Sequence, residues 1–191
     1  MKKFSLFANS YLDRLKSKID LVDHDELVKI IHILEDAHSS NSRIYVAGNG
    51  GSAATAAHIV NDLGSGLKRR NIKNFDIHSS SDNSASITAI ANDIGYEKVF
   101  VTQVSGILRS NDVILAISAS GNSPNIIQLC DYAKNIGCKI IGLTGFDGGY
   151  LKKISDVSYH VETQKGEYGL VEDMHMIFDH LLFTYYLEQF K

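Results

Sequence analysis

The pair His58 and Asp62 has the residue types that acid–base catalysis and metal binding require. The two are four residues apart in the helical pattern 52–67, so their side chains share one face of that helix. That face lies roughly two to three turns beyond the Gly-rich segment 48–54, close enough to reach a ligand held there. The same spacing also occurs in ordinary structural pairs on helices, and the sequence leaves both interpretations open.

A second set of ionisable residues lies in the helical pattern 170–190. Polar residues interleaved with Met, Phe, Ile and Leu are unusual for an exposed amphipathic helix, which segregates its faces. We expect this helix to be buried on several sides, with some polar residues in a site or a subunit interface. Glu172 and His180 are about 12 Å apart along the axis, so if both belong to one site, a neighbouring subunit supplies one of them. The ionisable residues are Glu172, Asp173, His175, Asp179 and His180.

Two loops offer hydrogen-bond donors to an anion. Segment 48–54 (GNGGSAA) follows a short apolar run and opens a helix, and its glycines let the backbone approach a ligand closely. Segment 118–125 (SASGNSPN) follows another apolar run, with Ser123 at an N-cap position and Pro124 at the first helical position. Three hydroxyls, a glycine and a helix N-terminus make a cradle for phosphate without a cation. Plain turns with capping serines are the structural alternative.

The elements that position these residues alternate along the chain. Short apolar runs at 43–47, 112–117, 139–143 and 157–161, with a weaker one at 75–78, alternate with helical patterns at 52–67, 84–91, 96–108, 124–136 and 170–190. This alternation predicts an α/β fold with a five-stranded parallel sheet, doubly wound in three layers and preceded by N-terminal helices. Ligands of such sheets lie beyond the carboxyl ends of the strands. We expect a helical extension at 1–40 and one structural unit at 41–191.

Composition excludes several classes of protein. The 191 residues are 44% hydrophobic and 21% charged, which suits a globular chain, and the net charge of −3 argues against a general nucleic-acid binder. Cys130 and Cys138 are too few for a disulfide framework, and their apolar context predicts buried free thiols. No apolar stretch approaches the roughly 20 residues that span a bilayer, and the N-terminal apolar run is broken at Asn9. We expect a cytoplasmic protein without membrane or nucleic-acid partners.

Five motifs in register resemble a known family. GNGGSAATAAHIVNDL, ANDIGY, SASGNSPNIIQL, GLTGFDGG and VEDMHMIFDHLL occur in this order along nearly the whole chain. Together they resemble the sugar isomerase (SIS) domain, a flavodoxin-like fold. Within it they are most similar to the phosphoheptose isomerases, which convert sedoheptulose 7-phosphate to D-glycero-D-manno-heptose 7-phosphate through an enediol. The resemblance implies an isomerase whose product supplies heptose to lipopolysaccharide or capsule.

The resemblance also implies which residues bind the sugar phosphate. They lie in the two loops, in ANDIGY and on the two helices with ionisable residues. Asn49, Gly50, Gly51 and Ser52 line the sugar pocket, Asn92 and Asp93 contact substrate, Ser118, Ala119, Ser120 and Ser123 hold the phosphate, and Asp62 and Glu172 fall on further substrate positions.

Metal, catalytic and oligomeric roles follow from the same resemblance. It implies one zinc ion per subunit at His58, Asp62, Glu172 and His180, and a homotetramer with active sites between subunits, in which segment 1–40 packs. Aldose–ketose isomerisation needs a base for the carbon-bound proton and a group that moves a proton between oxygens. We assign these roles to Asp62 and His180, respectively.

Several positions depart from the family pattern. Asp62 replaces the usual Glu and Glu172 the usual Gln, while Ala119 replaces Thr, so that any phosphate contact there is through the backbone. The shorter carboxylate of Asp62 withdraws the base by about one methylene, and a misplacement near 1 Å can cost about 100-fold in rate. The family's Thr-Gly-Arg after position 63 is absent, and the basic residues that follow are replacements for that Arg or a solvated loop. These residues are Lys68, Arg69, Arg70 and Lys73.

Three alternatives stay open at this stage. Some SIS proteins of this subgroup are not enzymes and bind the bacterial replication initiator DnaA, but they tend to lose the acid at position 62 and the histidine at 180, both of which this chain has. Regulatory SIS proteins that sense sugar phosphates usually carry a DNA-binding domain, for which 191 residues leave no room. The third alternative is an isomerase that acts on another sugar phosphate.

Overall fold

The structure of the chain, a computed structural model, describes residues 2–189. The helices are α1 (Lys2–Ile19), α2 (His24–Ser39), α3 (Gly51–Ile59), α4 (Ser84–Asp93), α5 (Val99–Val104), α6 (Pro124–Ile136), α7 (Gly149–Ile154) and α8 (Tyr168–Glu188). The strands are β1 (Arg43–Gly48), β2 (Asp76–Ser79), β3 (Val113–Ser118), β4 (Lys139–Phe146) and β5 (Val157–Glu162). Met1, Phe190 and Lys191, which end some of the predicted ranges, lie outside the described residues.

The strands form one parallel sheet in the order β2-β1-β3-β4-β5, which confirms the predicted fold. β1 lies between β2 and β3, so the chain winds in one direction from β1 to β2 and in the other from β3 to β5. Such a reversal leaves a crevice at the carboxyl ends of the two central strands. Gly48 at the end of β1 is opposite Ile117 in β3, so the loops after these strands are neighbours.

Both faces of the sheet are buried. Successive residues of β1 point to opposite faces: Ile44 and Val46 join the core beneath α2, α3 and α8, whereas Tyr45 and Ala47 join the core beneath α5, α6 and α7. Burial on both sides explains why the strands appear in the sequence as short continuous apolar runs. Cys130 and Cys138 are buried free thiols, as expected.

α8 is buried on several sides, which explains its mixture of polar and apolar residues. Met174, Phe178 and Leu182 lie in the core, and the polar residues His175 and Asp179 are also buried. Burial lowers the pKa of His175 to about 4, so its ring is neutral at neutral pH, and its Nε2 lies 3.3 Å from the Thr144 carbonyl oxygen.

Two helical patterns differ in detail from the expectation. The stretch 96–108 forms a 3₁₀ turn at Tyr96–Lys98 and then α5, which ends at Val104 because Ser105 is extended and Gly106 has a φ of +79°. The pattern 52–67 begins as α3 and continues as a π-helix at Val60–Gly66. π-helical turns are rare and often occur at functional sites. This one carries Asp62.

The two N-terminal helices pack differently. α2 buries Ile30, Leu34 and Ala37 in the core, whereas α1 has no buried residue. α1 contacts the rest of the chain near the start of α8, where the Tyr11 hydroxyl donates to Asp173 at 2.6 Å. Phe4 and Leu6 are 72% and 71% exposed. Within residues 2–189, no helix is both long enough and apolar enough to cross a membrane.

Candidate functional site

The loops after β1 and β3 are joined by a reciprocal pair of side-chain hydrogen bonds. Asn49 Nδ2 donates to Asn125 Oδ1 at 2.9 Å, and Asn125 Nδ2 donates to Asn49 Oδ1 at 2.8 Å. The Tyr96 hydroxyl donates to the same Asn49 oxygen at 2.8 Å. Because Asn125 is 1% exposed, the pair fixes the position of Asn49 beside the crevice at the reversal of strand order.

The loop after β3 gathers the predicted phosphate residues. Ser118 Oγ and Ser123 Oγ lie 3.2 Å apart, and the Asn122 amide donates to Ser120 Oγ at 3.2 Å. Ser123 occupies the N-cap position of α6 and Pro124 the first turn, as expected, but the Ser123 hydroxyl makes no capping hydrogen bond. It points toward Ser118 instead, which leaves both hydroxyls at the mouth of the helix N-terminus, where an anion is favoured.

The backbone at Ala119 is already engaged. The Ala119 carbonyl oxygen accepts from the Gly145 amide at 2.9 Å, and its side chain is buried. The predicted backbone contact with phosphate requires the Ala119 N–H, since a carbonyl oxygen is not a donor to an anion.

Glu172 lies against the loop after β1. A Cβ atom built on Gly51 would lie 2.5 Å from both carboxylate oxygens of Glu172, so the close approach of α8 to the first turn of α3 requires glycine there. Gly50 has a φ of +52°, and Ser52 is buried at the start of α3. The structure thus brings Glu172 together with the predicted sugar-pocket residues.

Asn92 and Asp93 lie at the exposed end of α4. Asn92 Nδ2 donates to Asp93 Oδ1 at 2.8 Å, and no hydrogen bond joins either side chain to the two loops in the part of the chain that the structure describes. The contact from this segment is made by Tyr96, which the sequence analysis quoted in ANDIGY without giving it a role.

A cluster of four metal-binding side chains lies where the π-helix after α3 meets α8. One ligand atom from each of His58, Asp62, Asp179 and His180 lies within 4.8 Å of the others. His58 Nε2 is 3.4 Å from His180 Nε2, 3.6 Å from Asp62 Oδ2 and 3.7 Å from Asp179 Oδ2. We call these four residues the His–Asp cluster.

The spacing of the His–Asp cluster fits a small metal ion. Zinc is bound tetrahedrally by His nitrogen and carboxylate oxygen at about 2.0–2.2 Å, which separates neighbouring ligand atoms by about 3.3–3.6 Å. The three distances from His58 Nε2, at 3.4, 3.6 and 3.7 Å, lie close to that separation. Nitrogen and oxygen donors also suit zinc chemically, though other divalent ions accept them.

Asp179 is the most strongly perturbed member of the cluster. It is 0% exposed, and neither carboxylate oxygen has a hydrogen-bond partner among residues 2–189. Burial, with a smaller contribution from the nearby Asp62 carboxylate, raises the pKa of Asp179 to about 7. Asp62 is 8% exposed, and its Oδ1 accepts from Asn61 Nδ2 at 2.9 Å. A buried carboxylate without a donor indicates a site made for a cation.

Of the four predicted metal positions, the structure brings three together within one chain. His58, Asp62 and His180 meet in the His–Asp cluster. Glu172 instead lies against Gly51, and Gly51 precedes His58 by seven residues in the sequence. This separation agrees with the distance argument from the sequence, since one copy of α8 does not carry Glu172 and His180 to one point. The sharing of the site between subunits stays a prediction.

The sequence analysis gave no role to Asp179, Asn125 or Tyr96. In the sequence, Asp179 is one of the ionisable residues of the last helix, and the apolar residues around it are the signal that could have assigned it to a site. The structure shows that its side chain is buried. Asn125 and Tyr96 were both inside quoted motifs, but their contacts with Asn49 depend on the packing of separate elements.

Two of the four basic residues after the π-helix, Arg70 and Lys73, interact with other parts of the chain. Arg70 donates to the Gly66 carbonyl oxygen at 2.8 Å, and its guanidinium carbon lies 5.5 Å from the centre of the Phe183 ring. Lys73 pairs with Glu35, whereas Lys68 and Arg69 are exposed. The exposed pair fits the solvated-loop interpretation.

Comparisons with known proteins identify the family of this chain. Residues 8–145 match the SIS domain family. The probable phosphoheptose isomerase of Thermoplasma acidophilum is 36% identical over 185 residues, which cover 96% of this chain and 99% of that protein. The phosphoheptose isomerase of Helicobacter pylori is 37% identical over 152 residues, 80% of this chain and 78% of the relative. The structure of the phosphoheptose isomerase from Neisseria gonorrhoeae is similar with a TM-score of 0.84 and 26% identity, covering 98% and 97% of the two chains.

Proposed function

The chain belongs to the SIS domain family and, within it, to the phosphoheptose isomerases, and on this basis we propose that it converts D-sedoheptulose 7-phosphate to D-glycero-D-manno-heptose 7-phosphate. The observation that carries the proposal is the placement of Asp62 and His180 in one cluster. Asp62 follows α3, which starts in the loop after β1, and His180 is on α8, which reaches Gly51 through Glu172 and Ala119 through Val171. A phosphate loop alone suits any sugar-phosphate binder, whereas a paired carboxylate and imidazole supply acid–base chemistry.

The arrangement gives each end of the substrate its own region. The Ser118, Ser120 and Ser123 hydroxyls and the N-terminus of α6 hold the phosphate, with the Ala119 N–H, and these neutral donors let product leave more readily than a buried cation would. Asn49, Gly50, Gly51 and Ser52 face the sugar, together with Glu172. Asn92 and Asp93 approach the substrate from the end of α4.

Asp62 and His180 perform the proton transfers. Asp62, a carboxylate that is 8% exposed and belongs to the cluster, takes a proton from C1 of the ketose and returns it to C2. His180, on the exposed side of the cluster, moves the proton between the two oxygens, since an imidazole has one nitrogen that can donate a proton and one that can accept it.

We propose one zinc ion per subunit, held at His58, Asp62 and His180. When bound, the ion supplies electrostatic polarisation of the substrate carbonyl. Glu172 is the remaining position that the family resemblance gives to the metal, and beside Gly51 it contacts the sugar.

The non-catalytic alternative is not favoured. A protein that only binds a replication initiator needs neither the carboxylate of Asp62 nor the imidazole of His180, and in this chain both lie within reach of His58. The remaining competitor is another sugar phosphate as substrate, which is an outcome of the assay below. We place the product upstream of lipopolysaccharide or capsule heptose and the enzyme in the cytoplasm.

A coupled assay of the purified, metal-analysed protein with sedoheptulose 7-phosphate tests the proposal. We expect turnover that falls after chelation and returns when zinc is added, because the cluster residues then regain their ion. Turnover that does not change after chelation would support the isomerase activity and contradict the proposed zinc site. Absence of turnover under both conditions, with activity on a different sugar phosphate or with initiator binding, would overturn the assigned substrate.

We also propose a homotetramer in which segment 1–40 packs against other copies. The observation behind it is the uncovered apolar surface of α1, where Phe4, Leu6 and Phe7 are 72%, 71% and 59% exposed. Burying a Phe side chain contributes about 1.5–3 kcal/mol, so several such side chains per copy favour association.

Phe7→Asp is expected to reduce the tetramer to smaller species, because a charge then replaces apolar contact on α1. Sedimentation equilibrium measures the mass. Ser5→Asp is the matched control, since it adds the same charge to an exposed position of the same helix without removing apolar surface, and it should retain the parent mass. A monomeric parent protein would contradict the proposal outright.

A further inference from the structure

We propose that Asp179 is a metal ligand, so that one subunit holds the ion with four of its own side chains, His58, Asp62, Asp179 and His180. Asp179 thereby takes the coordination position that the family resemblance gives to Glu172. This inference rests on the metal site of the proposed function and goes beyond it by assigning the fourth ligand.

The first argument is distance. Asp179 Oδ2 lies 3.7 Å from His58 Nε2, almost the same separation as that between His58 Nε2 and Asp62 Oδ2, at 3.6 Å. Both values are close to the spacing of neighbouring ligand atoms around a tetrahedral zinc, about 3.3–3.6 Å. Glu172 instead lies with its carboxylate against Gly51, at the other end of α3.

The second argument is independent of the cluster geometry. Asp179 is fully buried, and both of its oxygens lack a hydrogen-bond donor among the described residues. An unpartnered buried carboxylate is costly in a folded protein, by several kcal/mol when it is charged. Coordination to a divalent cation removes that cost, whereas neither the aliphatic core around α8 nor the sugar loops offers a donor to it.

In this proposal the two carboxylates on α8 have different roles. Asp179 completes the metal site, and Glu172 is left beside Gly51 to contact substrate. Because residues 172 and 179 are separated by about 10 Å along the helix, the two roles do not compete.

Cysteine substitution with cobalt as the probe distinguishes the two candidates. Cobalt(II) occupies zinc sites, and a thiolate bound to it adds an intense near-ultraviolet charge-transfer absorption. Thiolates are good ligands for such ions. We expect this absorption in cobalt-loaded Asp179→Cys and not in Glu172→Cys. Cys130 and Cys138 are buried and common to both variants and the parent, so their contribution is subtracted.

Zinc affinity gives a second readout that does not depend on activity. Asp179→Asn should bind zinc more than about 100-fold more weakly, beyond the 10–100-fold typical of losing an outer-shell partner. Glu172→Gln, the same chemical change on the same helix, should retain the parent affinity. Competition with a chromophoric chelator measures the zinc affinity of both variants. A cooperative unfolding transition of each metal-free variant shows that it is folded before zinc is added.

The outcomes separate this inference from the proposed function. Charge-transfer absorption in Glu172→Cys alone would overturn Asp179 as a ligand. So would its absence from both variants when the parent protein binds cobalt. Neither result would contradict the proposed isomerase activity. A parent protein that binds neither cobalt nor zinc would overturn the metal site itself, and turnover of sedoheptulose 7-phosphate by that protein would still uphold the isomerase.

Discussion

Asp62→Asn is expected to lower the turnover number by more than about 100-fold, which corresponds to about 2.7 kcal/mol in the activation barrier. The amide keeps the shape of the carboxylate but is not a base. The side chain at position 62 is 8% exposed and one of its oxygens accepts from Asn61, so the substitution is accommodated with little rearrangement. The loss then reports the missing proton acceptor.

Two controls keep this result specific. Asp76→Asn makes the same change at the amino end of β2, away from both loops, and should retain parent activity. The metal content of Asp62→Asn is measured after loading with zinc, because position 62 is also a proposed ligand. Near-normal turnover in the loaded variant would remove Asp62 from the role of base.

His180→Ala completes the argument for an acid–base pair. We expect a loss of similar size, more than about 100-fold, with the tetramer retained in sedimentation. If the two residues act as a unit, the double variant loses little more than either single one. Losses that multiply would assign His180 to a separate step.

The parallel sheet could be predicted because its three central strands, β1, β3 and β4, are buried on both faces. Runs such as 43–47 and 112–117 then appear in the sequence as short apolar segments. The observed strand Arg43–Gly48 is one residue longer than the first run, and Val113–Ser118 is shifted by one residue from the second. The break of 96–108 after Val104 depends on one residue in an extended conformation. In the π-helix, a Cβ atom on Gly64 would lie 3.0 Å from Ile77 and one on Gly66 would lie 3.1 Å from Phe183, so both glycines pack closely against distant parts of the chain. Neither the break nor the π-helix is visible in hydrophobic periodicity.

The part of the candidate site that could be predicted is the part formed by loops that directly follow strands. The loops after β1 and β3 meet because parallel strands end at one edge of the sheet, and their glycines and serines identified them. The sequence gives Asp179 no role beside its neighbour His180, because adjacent residues on a helix point about 100° apart. Only the crossing of α8 over the π-helix brings both side chains to His58.

Gly121→Ala is expected to lower the free energy of unfolding by about 3 kcal/mol or more, at the high end for a single substitution. Gly121 has a φ of +63°, where an L-residue costs about 1–2 kcal/mol. A Cβ atom there would also lie 2.0 Å from the Gly148 carbonyl oxygen, which is backbone and has no rotamer to adopt. The serine loop must therefore move away from the turn before α7.

The neighbouring hydrogen bonds explain why that movement is costly for both stability and phosphate binding. The Gly121 carbonyl oxygen accepts from the Leu151 amide at 2.9 Å, and the Gly121 amide donates to the Ser118 carbonyl oxygen at 2.9 Å. Shifting the loop breaks the first bond and displaces the hydroxyls of Ser118 and Ser120, which we propose as phosphate ligands. We therefore expect folded Gly121→Ala to show a raised KM for the sugar phosphate in addition to its lower stability.

Gly106→Ala separates the two sources of the stability loss. Gly106 has a φ of +79°, but a Cβ atom there meets nothing within 4 Å. Its substitution should therefore cost only the conformational part, about 1–2 kcal/mol. Chemical unfolding of both variants with the same probe measures the difference, which isolates the contact between Gly121 and Gly148. Equal losses in the two variants would mean that the serine loop yields freely, and the phosphate site would then owe its shape to the ligand instead of to the fold.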